Sequence, residues 1–175
     1  MLFKELETDR LLLKNISKED NTFILSQFSD NDVNTYLYDA EPIMDITEAD
    51  DLINFYTQPE SQGQNRWILI RKSDGTRMGT CGFHCFDMIH KKIEIGYDLK
   101  KEFWGKGYMQ EALKAAINFV LKNFDIHQID AHIYYKNEKS IILAEKLGFS
   151  FYDETEICVF RDQPYLHNIY TLNKR

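Results

Sequence analysis

The strongest apolar pattern in the chain has a helical period. Met109, Ala112, Leu113, Ala116, Ile117, Val120, Leu121 and Phe124 share one face and predict a helix over Tyr108–Asn123. A second helical pattern carries Ile141, Ile142, Ala144 and Leu147 inward; Asn137 caps its start and Gly148 its end. Ser17 with Asp20, and Thr47 with Asp50, mark two earlier helix starts. Their apolar sides hold Phe23, Ile24 and Phe28, then Leu52, Ile53 and Tyr56, and the second helix stops near Pro59. A short helix over residues 30–38 lies between them. Short apolar or alternating runs predict strands over residues 10–16, 67–70, 78–86, 92–99, 129–135 and 165–172, with another beginning at 149–151. Asp74-Gly75 predicts a hairpin turn, Gly79 and Gly82 close backbone approach, and Gly96 a bulge. Residues 61–65 read as a loop. The order β-α-α-β-β-β-α-β-α-β-β predicts an α/β fold: one mixed sheet flanked by helices, in one domain over residues 1–175.

Length and charge narrow the classes. At 175 residues the chain is long enough for one sizeable core. It has no apolar run approaching the roughly 20 residues that cross a bilayer. Charges at Lys4, Glu5 and Glu7 stand where a signal peptide needs an apolar stretch, so a cytoplasmic protein without membrane contact is expected. The net charge of −7 is uneven. Between Lys18 and Arg66 there is no lysine or arginine, and eleven of the 28 acids fall there. That half attracts cations, the other half polyanions. The acidic balance argues against nucleic-acid binding.

The candidate chemistry centres on Lys100-Lys101-Glu102-Phe103-Trp104-Gly105-Lys106-Gly107-Tyr108. A strand feeds this glycine loop and the loop opens the long helix. Backbone N–H groups, the positive helix end and lysines then converge on one spot, which suits a phosphate or pyrophosphate. A P-loop is excluded because Gly107 follows Lys106 where Ser or Thr is required. A dinucleotide fingerprint is excluded because Gln110 occupies the third glycine position. Three cysteines, Cys81, Cys85 and Cys158, form no disulfide framework. On a regular strand Cys81 and Cys85 share a face as buried thiols while His84 points away, so no metal site is expected. The five histidines show no pairing spacing and receive no catalytic role.

Several of these stretches together resemble the GNAT superfamily of N-acetyltransferases, and within it the ribosomal-protein N-terminal acetyltransferase branch. They are Glu7-Thr8-Asp9-Arg10-Leu11-Leu12-Leu13; Glu94-Ile95-Gly96-Tyr97; Trp104-Gly105-Lys106-Gly107-Tyr108 with Glu111-Ala112; Asn137 with Ser140; and Glu145-Lys146-Leu147-Gly148-Phe149. One position departs: Glu102 stands where the superfamily has Gln or Arg, which puts a side-chain contact there in doubt. The resemblance implies a mostly antiparallel sheet splayed between its fourth and fifth strands, at Leu99 and residues 129–135. It implies acetyl-CoA as co-substrate, its pyrophosphate on the amides of Gly105, Lys106, Gly107, Tyr108 and Met109. The pantetheine arm would run beside Ile95, Tyr97 and Leu99, with Trp104 packing the loop and Asn137 holding the arm's amides. Lys136 and Lys139 would flank the phosphates or simply be solvated.

In this reading a primary amine attacks the thioester directly. Glu94 is the candidate base, with a surface ion pair as the equal alternative, and Ser140 the candidate acid, with a place in the capping turn as its alternative. A backbone N–H near Gly96 or Tyr97 would hold the oxyanion. The base-free acidic stretch lies on the expected acceptor side, so a cationic acceptor is predicted: a basic protein N-terminus, a polyamine or an amino sugar. A homodimer is common in such families. The rivals are acetylation of a small molecule, a non-catalytic CoA-binding module, and a nucleotide-binding domain of another class.

Overall fold

The computed structural model describes residues 3–38, 40–58 and 63–174. Its strands are β1 (Leu6–Glu7), β2 (Leu11–Asn15), β3 (Asn65–Arg71), β4 (Arg77–Asp87), β5 (Lys92–Leu99), β6 (Gln128–Tyr134), β7 (Ser150–Phe160) and β8 (Gln163–Asn173). The helices are α1 (Asn21–Phe28), α2 (Asn31–Asn34), α3 (Ile46–Thr57), α4 (Tyr108–Asn123) and α5 (Glu138–Lys146). One 8-stranded sheet holds all the strands, in the order β1-β2-β3-β4-β5-β6-β8-β7. Every pairing is antiparallel except β5 with β6.

Both faces of the sheet are covered, which is why β3 reads as an unbroken apolar run. Trp67 and Leu69 enter a core with Leu11, Leu13, Ile93 and, from α4, Leu113, Ala116 and Val120. Ile68 points the other way, into a smaller core with Ile24 of α1 and Ala49 and Ile53 of α3. The close approaches expected at two glycines are real. A Cβ on Gly79 would stand 2.2 Å from the Asp98 carbonyl oxygen, and one on Gly82 2.0 Å from that of Asn65.

The parallel pair positions the site. β5 and β6 are in register only at Lys92 with Gln128, Ile93 with Ile129 and Glu94 with Asp130. Beyond Glu94, β5 stays with β4 as far as Leu99, while β6 follows β8. The two strands therefore part at Ile95, and a gap opens between the fourth and fifth predicted strands as expected, but before Leu99, because the parallel pairing ends at Glu94.

Several local expectations are corrected. Gly96 sits in regular pairing opposite Gly82; the irregularity lies on β4, between His84 and Asp87. The helix expected over residues 30–38 is only the single turn α2, capped by Asp30, which accepts from Asp32 N and Val33 N. The cap of α3 is Asp45 rather than Thr47; its extended backbone lets its carboxylate accept from Thr47 N and Glu48 N. Ile142, expected inside, is half exposed. β1 and most of β7 were not predicted. The stop at Pro59 and the loop's start at Ser61 lie outside the described residues. Among the described residues no helix is long and apolar enough to cross a membrane.

Candidate active site

The glycine loop forms one lip of the gap. Gly105 and Gly107 both have left-handed backbone, at φ 72 and φ 76. Nothing lies within 4 Å of a Cβ built on Gly105, so conformation rather than space demands that glycine. Gly107 is the N-cap of α4, which leaves the first-turn amides of the helix directed toward the loop. The chain's opening motif holds this turn in place. Glu111, in the first turn of α4, accepts from Thr8 Oγ1 at 2.6 Å, Arg10 N at 2.9 Å and Arg10 Nε at 2.6 Å. Arg10 then reaches on: Nη1 donates to the Lys106 carbonyl at 3.0 Å, and its guanidinium lies over the Tyr108 ring. Burial alone would raise the Glu111 carboxyl, but these donors outweigh it and hold it below the usual range. The motif at residues 7–13 is thus a clamp on the loop, a link that spacing along the sequence does not reveal. Trp104 braces the other side, its Nε1 donating to the Leu99 carbonyl at 2.7 Å.

The second lip is the start of α5. Asn137 caps it as expected, accepting from Ser140 N at 3.3 Å. Tyr97 crosses the gap from β5 and donates its hydroxyl to the Ser140 carbonyl at 3.3 Å. Burial pushes the Tyr97 phenol up to about 12, against the opposing effect of its Ser140 contact, so it remains a donor.

A cleft of about 830 Å³ joins the two lips. Of the residues expected to bind cofactor or act in catalysis, Tyr97, Leu99, Trp104, Gly105, Gly107, Tyr108, Met109, Asn137 and Ser140 line it. Ile95, Lys106 and Glu94 are not among its lining. Ile95 is buried in the main core, so any contact from it is through backbone. Glu102 is also absent from the lining and is exposed in a short 3-10 turn. Gln110 and Lys146 line the cleft without having been expected, and Asp32, Val33, Thr35, Tyr36 and Leu37 around α2 line it too, within the stretch expected on the acceptor side. Lys136 and Lys139 line it beside Asn137, and Lys139 Nζ sits 3.8 Å from the centre of the Trp104 ring.

Glu94 lies on β5 just before the gap, facing a different set of neighbours. Its Oε2 is 3.4 Å from His84 Nε2, and its Oε1 is 3.9 Å from His132 Nε2. Burial acts to raise its carboxyl, and the His84 contact with the charges of both imidazoles reverses this, leaving it below the usual range. Spacing along the chain does not reveal this grouping. The expected alternation along β4 fails because the bulge after His84 carries Cys85 into left-handed backbone at φ 51. Such a conformation costs a non-glycine residue roughly 1–2 kcal/mol. Cys85 is consequently exposed and beside Glu94, whereas Cys81 is fully buried as expected.

A buried network ties α1 to the sheet. The Asp98 carboxylate accepts from Gln27 Nε2 at 2.7 Å, Arg66 Nη1 at 3.1 Å and both the hydroxyl and amide of Thr80. Burial raises this carboxyl despite Arg66 and Thr80. Much of the acidic stretch is structurally engaged as well. Asp20 pairs with Lys14 and Arg77, Asp32 with Lys101 and Glu41 with Arg161, while Asp30 and Asp45 cap helices.

Comparison with known proteins agrees with this geometry. The family model described as an acetyltransferase (GNAT) domain matches residues 10–150. An uncharacterized N-acetyltransferase, p20, of Bacillus licheniformis is 34% identical over 145 residues, spanning 82% of this chain and 81% of the relative. The uncharacterized N-acetyltransferase YoaA of Bacillus subtilis is 29% identical, over 99% and 98% of the two chains. Among solved structures, a RimL ribosomal-protein acetyltransferase in complex with coenzyme A superposes with a TM-score of 0.85 at 16% identity, over 97% of this chain and 98% of that one. A spermidine N-acetyltransferase from Vibrio cholerae, in complex with CoA and spermine, does so with a TM-score of 0.81 at 18% identity, over 95% and 96%. The structural likenesses fix the fold; the family match fixes the kinship. The chain belongs to the GNAT acetyltransferases and is an acetyl-CoA-dependent acyltransferase.

Proposed function

We propose that this protein transfers acetyl from acetyl-CoA to a cationic primary amine by direct attack within a ternary complex. One observation carries the proposal: the glycine loop and the Asn137–Ser140 turn face each other across the strand splay, in a single cleft. The loop amides at Gly105 to Met109 take the pyrophosphate, helped by the positive end of α4 and by Lys136, Lys139 and Lys146. The edge of β5 from Ile95 to Leu99, free of β6, offers backbone groups to the pantetheine arm as a neighbouring strand would. Asn137 holds the arm's amides at the second lip.

The thioester then lies at the fork of the strands. Glu94 is the base that takes the proton from the ammonium, directly or through a water. As the amine nitrogen bonds to the carbonyl carbon, a backbone N–H at Gly96 or Tyr97 stabilises the oxyanion. Ser140 gives a proton to the departing thiolate as the carbon–sulfur bond breaks, and regains one, through water, from the nitrogen that becomes the amide. No protein nucleophile is required.

The acceptor reading rests on α1 to α3, the part of the chain without lysine or arginine. The RimL likeness favours a protein N-terminus and the spermidine N-acetyltransferase likeness a polyamine. Both are cationic amines, and the preference here is for the N-terminus, since the chain's motifs resemble the N-terminal acetyltransferase branch, while Asp32 supplies a carboxylate to the cleft lining. The test is thiol release from acetyl-CoA with a panel of basic peptides, spermidine, amino sugars and neutral amines at low salt. Faster turnover of cationic acceptors, with basic peptides first, is expected. Equal rates with neutral and cationic amines contradict the charge argument; CoA binding with no acetylation of any amine contradicts the enzymatic reading.

A further inference from the structure

The β4 bulge creates a second constellation beside the cleft. The donor atoms of His84, Cys85 and Glu94 (a ring nitrogen, the thiol sulfur and a carboxylate oxygen) all lie within 4.8 Å of one another. Three features look arranged for this grouping and are not needed for a strand pair. The left-handed backbone at Cys85 brings its thiol beside Glu94. The glycine at position 96 makes room for the imidazole: a Cβ there would stand 3.2 Å from His84 Cε1. From β6, His132 presents Nε2 toward Glu94 Oε1 at 3.9 Å, while its Nδ1 is held by Glu156 Oε2 at 2.7 Å. A carboxylate on the rear nitrogen is how metal-binding histidines are oriented.

We propose that His84, Cys85, Glu94 and His132 form a site for a zinc-like divalent ion. The donor set is mixed nitrogen, sulfur and oxygen, which suits a borderline-soft ion and disfavours magnesium or calcium. The fit is close. Ligand bonds of 2.0–2.3 Å in a tetrahedron place donors about 3.3–3.8 Å apart. The His84 and Glu94 atoms are already 3.4 Å apart, and Cys85 lies within 4.8 Å of both; His132, 3.9 Å from Glu94, stands outside that trio and must swing in to complete the tetrahedron. As the sulfur–metal bond forms, the Cys85 thiol gives its proton to the buffer, and no redox partner is involved. Cys85 is exposed and the three other side chains are partly so, leaving an entry path.

The consequence for activity rests on the reading of Glu94 as base. An ion on its carboxylate withdraws that base, so metal binding switches acetyl transfer off. The test uses chelator-treated protein titrated with Co2+ as a spectroscopic probe, then Zn2+ as competitor. A thiolate-to-cobalt absorption band saturating at one equivalent is expected, displaced by Zn2+. It should vanish in Cys85→Ser, with affinity at least tenfold weaker, and persist in Cys158→Ser. Absence of the band, or its survival in Cys85→Ser, overturns the site. In parallel, Zn2+ should inhibit acetyl transfer by the wild type and not by Cys85→Ser, whose metal-free rate stays normal. Metal binding with an unchanged rate keeps the site and removes Glu94 from the chemistry.

Discussion

Glu111 is the residue whose replacement tests most of the loop's construction at once. Glu111→Ala removes three hydrogen bonds, from Thr8, from the Arg10 amide and from the Arg10 side chain. The Arg10 side chain is 46% exposed, so its ion pair is discounted to at most about 1 kcal/mol. The other two are charge-assisted, the Thr8 one partly buried and the Arg10 amide one exposed, at up to roughly 1 kcal/mol each. The total is about 2–3 kcal/mol, a fall in Tm of roughly 4–12 °C for a chain of this size. Arg10 also loses its anchor and with it the grip on the Lys106 carbonyl. If about 1 kcal/mol of loop preorganisation is lost, the KM for acetyl-CoA rises about fivefold. Glu111→Gln keeps the shape and an acceptor oxygen, and should fall between Glu111→Ala and wild type in both measurements. Thermal unfolding with and without CoA, alongside steady-state kinetics, gives both numbers. A fall in Tm with an unchanged KM would show that the clamp stabilises the fold without shaping the loop, and the reasoning about residues 8–10 would be wrong.

Other replacements separate the remaining roles. Asn137→Ala should cost about 1 kcal/mol through the lost cap and raise the KM for acetyl-CoA, whereas Ser140→Ala should lower kcat with little change in KM. Unchanged turnover in Ser140→Ala would remove it as the acid. Gly107→Ala places a side chain on left-handed backbone and should cost roughly 1–2 kcal/mol, since its Cβ would meet only Arg10 Nη2, at 3.5 Å. Asp20 governs acid stability: burial would raise its carboxyl, but donors from Lys14, Ser17 and Arg77 depress it. Because the folded value is the lower one, its contribution is present above the unfolded value of about 3.9 and is lost as pH falls through the folded value. Asp20→Ala should therefore cost about 2–3 kcal/mol at neutral pH and flatten the stability–pH curve below about pH 4, read by chemical unfolding.

Legibility in the sequence followed how local each feature is. α4 was predicted to its last residue because a long apolar stripe meets a glycine cap at one end. The order of strands and the splay followed from alternation and from the resemblance of separate motifs. β7 escaped because it is a sheet edge: its charged residues, such as Asp153, Glu154 and Glu156, look like loop, and Ile157 and Val159 are exposed. The Cys85 bulge escaped because period two cannot show where one extra residue breaks it, and that break decides which side chains meet Glu94. The clamp of Thr8 and Arg10 on Glu111 escaped for a different reason. It joins residues about a hundred positions apart, and nothing in either motif names the other. The acidic stretch was visible as charge, but not that so many of its members cap helices or pair with bases.

Initial velocities measured while acetyl-CoA and a basic peptide are varied together test direct transfer in the cleft most plainly. Intersecting double-reciprocal lines, with no acetyl-enzyme detected by mass spectrometry when amine is withheld, are predicted. Parallel lines with a stable acetylated side chain on the protein would contradict it.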